Sequence, residues 1–199
     1  MNLAHLRADI HLSQNNASEQ LSYAWEYAQQ LDTSLEIAVF VSDKAEQELA
    51  FFADSLKSAS MNISRIILFH ENEKSTSRKW VELAKSILSE TDIPIGAGTN
   101  AFFAELNRER PPADLLDFVS YSLNPQVHAF DNLSLVETLQ VHRETVKTAR
   151  AFSEDAKIVI SPVTFKMRFN PNATGRDSAL SLDELPAQVD PRQMSLFGA

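Results

Sequence analysis

The sequence predicts an α/β fold, a partial (β/α)₈ barrel of the TIM type with about six parallel strands and intervening helices. Short apolar runs alternate with helical patterns along most of the chain, and that alternation is typical of parallel sheets covered by helices. The first four runs begin at residues 6, 35, 64 and 93, a uniform spacing of 29 residues. No G-x-G-x-x-G or Walker-type loop follows the first run, so a barrel is favoured over a doubly wound sheet with a nucleotide crevice.

Six apolar runs are predicted to be strands. Most of them are continuously apolar, as expected of parallel strands that are covered on both faces. The runs are 6–12, 35–41, 64–70, 93–99, 117–123 and 157–163.

Apolar side chains at 3.6-residue spacing predict four longer helices between these strands. Their stripes begin at Leu21, Ala45, Trp80 and Leu135. The last stripe includes His142, which is therefore expected to pack against the barrel and not to react. A shorter helix is predicted from residue 100 to about residue 107, before a proline pair at 111–112.

A complete barrel of this type needs eight strands and about 250 residues. Six strands in 199 residues leave it open, so we expect one partial barrel domain over residues 1–199, with a long loop over 166–193. Residues 194–199 have the pattern of a helix that begins and is cut off, which indicates part of a larger fold. Open sheet edges can pair with another chain, so they offer a route to a homo-oligomer.

The composition excludes several classes of function. The chain has 18 Lys and Arg against 27 Asp and Glu, a formal net charge of −9, which disfavours binding to nucleic acid or to an anionic membrane. There is no cysteine, so disulfides, thiolate zinc sites and cysteine nucleophiles are excluded. Residues 1–12 lack the apolar stretch of a signal peptide, and no run is long enough to span a membrane. We therefore expect a cytoplasmic protein.

No metal and no cofactor are expected. His70 and Glu71 are the side chains that come nearest to a metal-binding pair, but two adjacent residues cannot form a zinc site alone.

The functional groups of parallel β/α folds lie at the carboxyl ends of the strands and in the loops that follow them. Two residues there are candidate catalytic groups, Glu105 in the short helix and His128 after the fifth strand. The alternative for Glu105 is a solvated charged helix face. Eight further residues are predicted to bind substrate through hydrogen bonds: Asp9, Thr99, Asn100, Asn124, Gln126, Thr164, Arg168 and Asn170.

The segment 124–128 is the most specific local signal. It reads Asn-Pro-Gln-Val-His and brings two amides and an imidazole directly after a buried strand. Such groups bind sugar hydroxyls or take a proton near neutral pH. The alternative is an Asn-Pro turn with a loop histidine that is already hydrogen-bonded, and we favour the functional interpretation.

Two of the four glycines, Gly96 and Gly98, lie at the end of the fourth predicted strand. A glycine there allows the close approach of either a ligand or a bulky neighbouring group. The sequence leaves both interpretations open.

Four stretches of the chain carry a family resemblance. They are LRAD at 6–9, PIGAGTNAFF at 94–103 with ELNR at 105–108, VSYSLNPQVHAFD at 119–131, and SPVT at 161–164 with RFNPNATG at 168–175. In these stretches the chain resembles the central barrel domain of the D-apionate lactonases, bacterial enzymes of carbohydrate catabolism with a TIM-type barrel between β-rich domains. It departs from that family at Asn100, where many relatives have Asp, and it lacks the first strand, the last strand and the β-rich domains.

The resemblance implies the first functional hypothesis, hydrolysis of a small sugar-acid lactone. This reaction needs a water nucleophile, a base and a donor for the oxyanion. His128 or Glu105 is the expected base, and Arg168 or Asn124 is the expected donor.

Two other hypotheses remain open. A glycoside-hydrolase-like barrel would act on a sugar substrate and needs two carboxylates, of which Glu105 is one candidate. The third hypothesis is an inactive barrel that only binds sugar or a partner chain.

Overall fold

The computed structural model describes residues 3–126, 129–167 and 189–195. Within them, six parallel strands form one sheet in which the strands lie side by side in chain order. The strands are β1 (His5–His11), β2 (Ser34–Val41), β3 (Ile63–His70), β4 (Ile95–Thr99), β5 (Phe118–Leu123) and β6 (Lys157–Val163). All six predicted strands are confirmed, each to within two residues at either end.

Helices alternate with the strands as the sequence predicts. They are α1 (Ala17–Gln30), α2 (Ala45–Ala59), α3 (Arg78–Ile87), α4 (Phe103–Arg108) and α5 (Asn132–Phe152). The short helix α4 begins at Phe103 and not at Asn100, because the backbone N–H of Ala101 donates to the Thr99 hydroxyl in a preceding turn. Within the described ranges, no helix combines the length and the apolar character needed to cross a bilayer.

The C-terminal prediction is only partly covered by the structure. A 3₁₀ turn over Pro191–Met194 ends where a helix was expected to begin, and residues 196–199 lie outside the described residues. Most of the expected loop over 166–193 also lies outside them.

Residues on each strand alternate between the two faces of the sheet, as strand geometry requires. On β2, Ile37 and Val39 belong to the larger core, in which the sheet packs against the helices. The opposite face encloses a second cluster of buried side chains, which is the lumen of the barrel. That cluster consists of Ala38, Phe40, Ile67, Phe69 and Phe118.

The sheet is strongly curled. β1 and β6 are its two edges, yet Arg7 of β1 donates a hydrogen bond of 2.9 Å to the hydroxyl of Ser161 on β6. A side chain from one edge can reach the other only if the sheet curves around a lumen. The fold is therefore the partial TIM-type barrel that the sequence predicts.

Packing accounts for the two glycines of β4. The ring of Phe118 occupies the space that a Cβ on Gly96 would need, and the carbonyl oxygen of Ser120 occupies that space at Gly98. Gly98 also has a φ of +154°, which L side chains rarely adopt. Of the two interpretations that the sequence leaves open, the structure supports the close approach of a neighbouring group.

Candidate functional site

A cavity of about 370 Å³ opens at the carboxyl ends of β1 to β4. This is the end of a TIM-type barrel at which functional groups gather. Its lining consists of Asp9, His11, Phe40, Phe69, His70, Glu71, Glu73, Lys74 and Asn100.

Arg7 links two polar side chains of this cavity. Its Nε donates to Asp9 Oδ1 over 2.7 Å, and its second terminal nitrogen donates to Asn100 Oδ1 over 3.2 Å. Because the amide oxygen of Asn100 accepts from Arg7, its Nδ2 group is left as a donor for a ligand.

A buried acidic residue lies beneath this network. Glu36 of β2 is fully buried and accepts a short hydrogen bond from the hydroxyl of Ser161. Its other oxygen forms an ion pair with Arg65 Nε over 2.8 Å, without hydrogen-bond geometry. Arg7 and His5 also approach the carboxylate, to 4.0 and 3.7 Å. The lumen thus holds a charge-paired polar core, as buried charges require.

His11 and Glu71 form a second pair at the cavity. The imidazole of His11 stacks on the ring of Phe40, with centroids 4.2 Å apart, and its Nδ1 lies 3.4 Å from Glu71 Oε1. The hydroxyl of Ser13 donates to the same carboxylate oxygen over 2.6 Å. An imidazole held by a carboxylate is an arrangement that suits a general base, because the carboxylate orients the ring.

Two other residues of the cavity wall are occupied in structural contacts. His70 is buried and stacks on Trp80, with ring centroids 4.4 Å apart. The carboxylate of Glu73 accepts from the Trp80 indole N–H over 2.8 Å and from the backbone N–H of Ser77 over 2.8 Å. Glu73 therefore holds the start of α3 in place.

Two of the predicted site residues, Asp9 and Asn100, come together in this cavity. Thr99 is fully buried, and its hydroxyl accepts from the Ala101 N–H in the turn after β4. Glu105 is buried on α4, where Oε1 lies 3.4 Å from an Arg108 guanidinium nitrogen and Oε2 has no hydrogen-bond partner. Thr99 and Glu105 are not part of the cavity lining.

Asn124 and Thr164 follow β5 and β6, so they lie at the same end of the sheet as Asn100 but outside the cavity lining. Asn124 is buried, and its Oδ1 has no hydrogen-bond partner. The backbone N–H of Thr164 donates to the Leu123 carbonyl, and its hydroxyl donates to the Lys166 carbonyl.

Gln126 is fixed by the segment 189–195. Its Nε2 donates to Asp190 over 2.8 Å, and its Oε1 accepts from Arg192 over 3.1 Å. Hydrogen bonds from Arg192, assisted by Gln126, hold the pKa of the buried Asp190 carboxyl well below its usual range. Gln126 therefore anchors this segment to the loop after β5.

The remaining three predicted residues, His128, Arg168 and Asn170, lie outside the described residues. The site residues predicted from the sequence do not include Arg7, Glu36, His11 or Glu71. Glu71 is considered only with His70, as a metal-binding pair, and that interpretation is not adopted. A signal for the first strand was available, because its polar side chains recur at every second position from His5 to His11 and so share one face. No comparable pattern marks Glu36, an isolated acid in an apolar strand.

Comparison with known proteins gives a consistent picture. The family model described as "D-apionate lactonase, TIM barrel domain" matches residues 1–199. A D-apionate lactonase of Brucella anthropi is 29% identical over 181 residues, which cover 82% of this chain and 29% of that relative. The chain thus spans less than a third of the length of this relative. No solved structure matches the chain significantly.

The match over the whole chain agrees with the curled parallel sheet and with the polar cavity at its carboxyl end. The chain belongs to the D-apionate lactonase TIM barrel domain family.

Proposed function

We propose that this chain is the barrel part of a lactonase-like carbohydrate hydrolase that opens a small sugar-acid lactone in the cavity at the ends of β1 to β4. The observation that carries the proposal is the His11–Glu71 pair, which lies in the same cavity as the amide of Asn100. The names of the family and of the Brucella anthropi relative support the substrate class.

The proposed reaction assigns one role to each of these groups. His11 accepts a proton at Nε2 from a water molecule, while Glu71 orients the ring through Nδ1. The water oxygen then bonds to the lactone carbonyl carbon, and Asn100 Nδ2 donates to the oxygen that becomes negative. When the ring C–O bond breaks, the imidazolium returns the proton to the leaving oxygen. The product is a hydroxy acid.

The charges of the cavity suit a neutral substrate. Asp9, Glu71 and Glu73 line it together with one lysine, Lys74. A lactone is neutral, whereas the carboxylate product is an anion that this negative surface repels. The cavity would therefore accept the lactone and favour release of the acid.

The two bases expected from the sequence remain proposals beside His11. Glu105 is buried with one unpartnered carboxylate oxygen, and His128 has the polar neighbours Asn124 and Gln126 in sequence. For the oxyanion donor, Asn124 and Arg168 remain alternatives to Asn100.

The test measures proton release from the lactone of D-apionate and from related five-membered sugar-acid lactones, with the rate in buffer alone subtracted. We expect turnover by the wild-type chain and a loss of about 10²–10⁴-fold in kcat for His11→Gln, because a positioned base is removed. His142→Gln is the matched control and should keep near-normal kcat, because His142 lies on α5 and does not line the cavity. His128→Ala and Glu105→Gln decide between the candidate bases.

Other results would contradict the proposal. Hydrolysis of glycosides in place of lactones would assign the chain to the glycoside-hydrolase class. Saturable binding of sugars or lactones without turnover would indicate a binding barrel. Normal lactone turnover by folded His11→Gln would remove the role assigned to the His11–Glu71 pair.

A further inference from the structure

We propose that Arg7 is the positioning residue of this site, which sets the orientation of Asp9 and Asn100 from an anchor across the barrel. This inference rests on the proposed function for its catalytic meaning. The orientation of the Asn100 amide by Arg7 does not depend on that function and can be measured separately.

The side chain of Arg7 makes hydrogen bonds in three directions at once. Nε donates to Asp9, one terminal nitrogen donates to Ser161, and the other donates to Asn100, over 2.7, 2.9 and 3.2 Å. Only 10% of the side chain is exposed. A planar guanidinium presents donors in such a fixed fork, whereas the single ammonium of a lysine cannot match its geometry.

Arg7 is anchored through Ser161 to a buried group of the sheet. The Ser161 hydroxyl donates to the buried carboxylate of Glu36, so its oxygen is oriented to accept from Arg7. Arg65 only balances the charge of Glu36, without hydrogen-bond geometry, and a lysine at that position keeps the charge. This chain of contacts runs from β2 through β6 to β1, and it fixes the guanidinium relative to both edges of the sheet.

The consequence at the cavity is a fixed amide orientation. Asn100 could present either its oxygen or its NH₂ group to a ligand, and the two orientations have opposite hydrogen-bonding properties. Because Arg7 can only donate, Asn100 must turn Oδ1 toward it. The NH₂ group is then available to donate to the lactone oxygen.

The experiment compares Arg7→Lys with Arg65→Lys as the matched control. Both arginines approach Glu36 in the lumen, but only Arg7 bonds to Asp9 and Asn100. Arg7→Lys should lower kcat by about 10²-fold with a smaller change in KM, since it misplaces groups that act on the transition state. Arg65→Lys should leave kcat within about threefold.

A second readout does not depend on activity. The side-chain NH₂ resonances of Asn100, assigned with Asn100→Ser, should shift in Arg7→Lys and stay in place in Arg65→Lys. Ser161→Ala keeps Arg7 but removes its anchor, and it should shift the same resonances. If Arg7→Lys fails to fold, Ser161→Ala tests by itself whether the anchored Arg7 orients Asn100.

The possible failures are distinguishable. If the wild-type chain opens no lactone but the Asn100 resonances respond as described, the proposed function is wrong and the positioning by Arg7 stands. If the resonances do not respond to Arg7→Lys or Ser161→Ala, the positioning role is overturned even when lactone turnover is present. Equal losses of kcat in Arg7→Lys and Arg65→Lys would also overturn it, because they would indicate a general effect of lumen packing.

Discussion

Gly98 has no room for a side chain. The carbonyl oxygen of Ser120 lies where a Cβ would be, and the φ of Gly98 is unfavourable for any side chain. At Gly96 the obstacle is instead the ring of Phe118, a side chain that can be altered. The two glycines of β4 therefore differ in how a substitution could be accommodated.

Gly98→Ala is expected to destabilise the fold by about 3 kcal/mol or more, because steric overlap with backbone adds to conformational strain. Gly96→Ala should cost about 1–3 kcal/mol, as overpacking of a core usually does. Urea unfolding followed by circular dichroism measures both.

Gly96→Ala combined with Phe118→Leu is the control for this interpretation. The double variant should lose less stability than the sum of the two single losses, since the smaller side chain makes room for the methyl group. An unfolding midpoint for Gly98→Ala equal to that of the wild type would contradict the steric argument.

At the scale of the element, the apolar stripe of α5 is buried at some positions and exposed at others. Leu135 and Ala149 are buried and His142 is half-buried, as the stripe predicts. Leu139 belongs to the same stripe but is 50% exposed, and Val136 on the same flank is 52% exposed. Among the described residues, no element covers this flank of the helix.

His142 should make α5 sensitive to acid. Burial lowers the pKa of His142 below its ordinary value of 6.5, so the unfolded chain binds its proton more readily than the folded chain does. The contribution of neutral His142 to the free energy of unfolding is fully present above pH 6.5 and decreases as the pH drops below that value. In His142→Leu, the urea midpoint should fall less between pH 7.5 and about pH 5 than it does in the wild type.

Gln140→Leu is the control for that measurement, since it places the same side chain at an exposed position of α5 and removes no titrating group. It should keep the acid sensitivity of the wild type. An equal pH dependence in all three proteins would show that His142 does not titrate with unfolding.

At the scale of the whole molecule, the open edges of the sheet are the main feature. Among the described residues, β1 pairs only with β2 and β6 pairs only with β5. Apolar side chains are also exposed at the start of α5 and just before it, among them Phe130, Leu133 and Val136. Unpaired strand edges and exposed apolar patches both promote association.

We therefore predict that the purified 199-residue chain self-associates or is only marginally stable. Sedimentation velocity over a range of concentrations should detect species larger than a monomer. Leu133→Lys with Val136→Lys should reduce association if the α5 flank contributes, whereas Lys147→Glu, on the same helix, is a control without loss of apolar surface. A monomer with a sharp, cooperative thermal transition would contradict the prediction.

The sequence was sufficient to predict most of the fold, because strand and helix patterns are local. The run at 157–163 matches β6 at both ends, and the fifth predicted strand differs from β5 by one residue. Of the cavity residues, the strand-end rule found Asp9 and Asn100. It also selected two residues that have other roles. The Thr99 hydroxyl accepts a hydrogen bond in the turn after β4, and Gln126 anchors the segment 189–195 through Asp190.

The sequence by itself determined the order of strands and helices, the parallel sheet and the end of the barrel at which polar groups gather, since periodicity and strand direction fix all three. Only the tertiary structure decided which of those polar groups meet. Arg7 reaches Asn100 and Ser161, 93 and 154 residues away in the chain, because the sheet curls until its two edges face each other. The spacing of the strands predicts a barrel, but no local pattern specifies how far the sheet curls or which side chains meet across the lumen. The contacts of Arg7 with Glu36 and Asn100 therefore became visible only in the folded barrel.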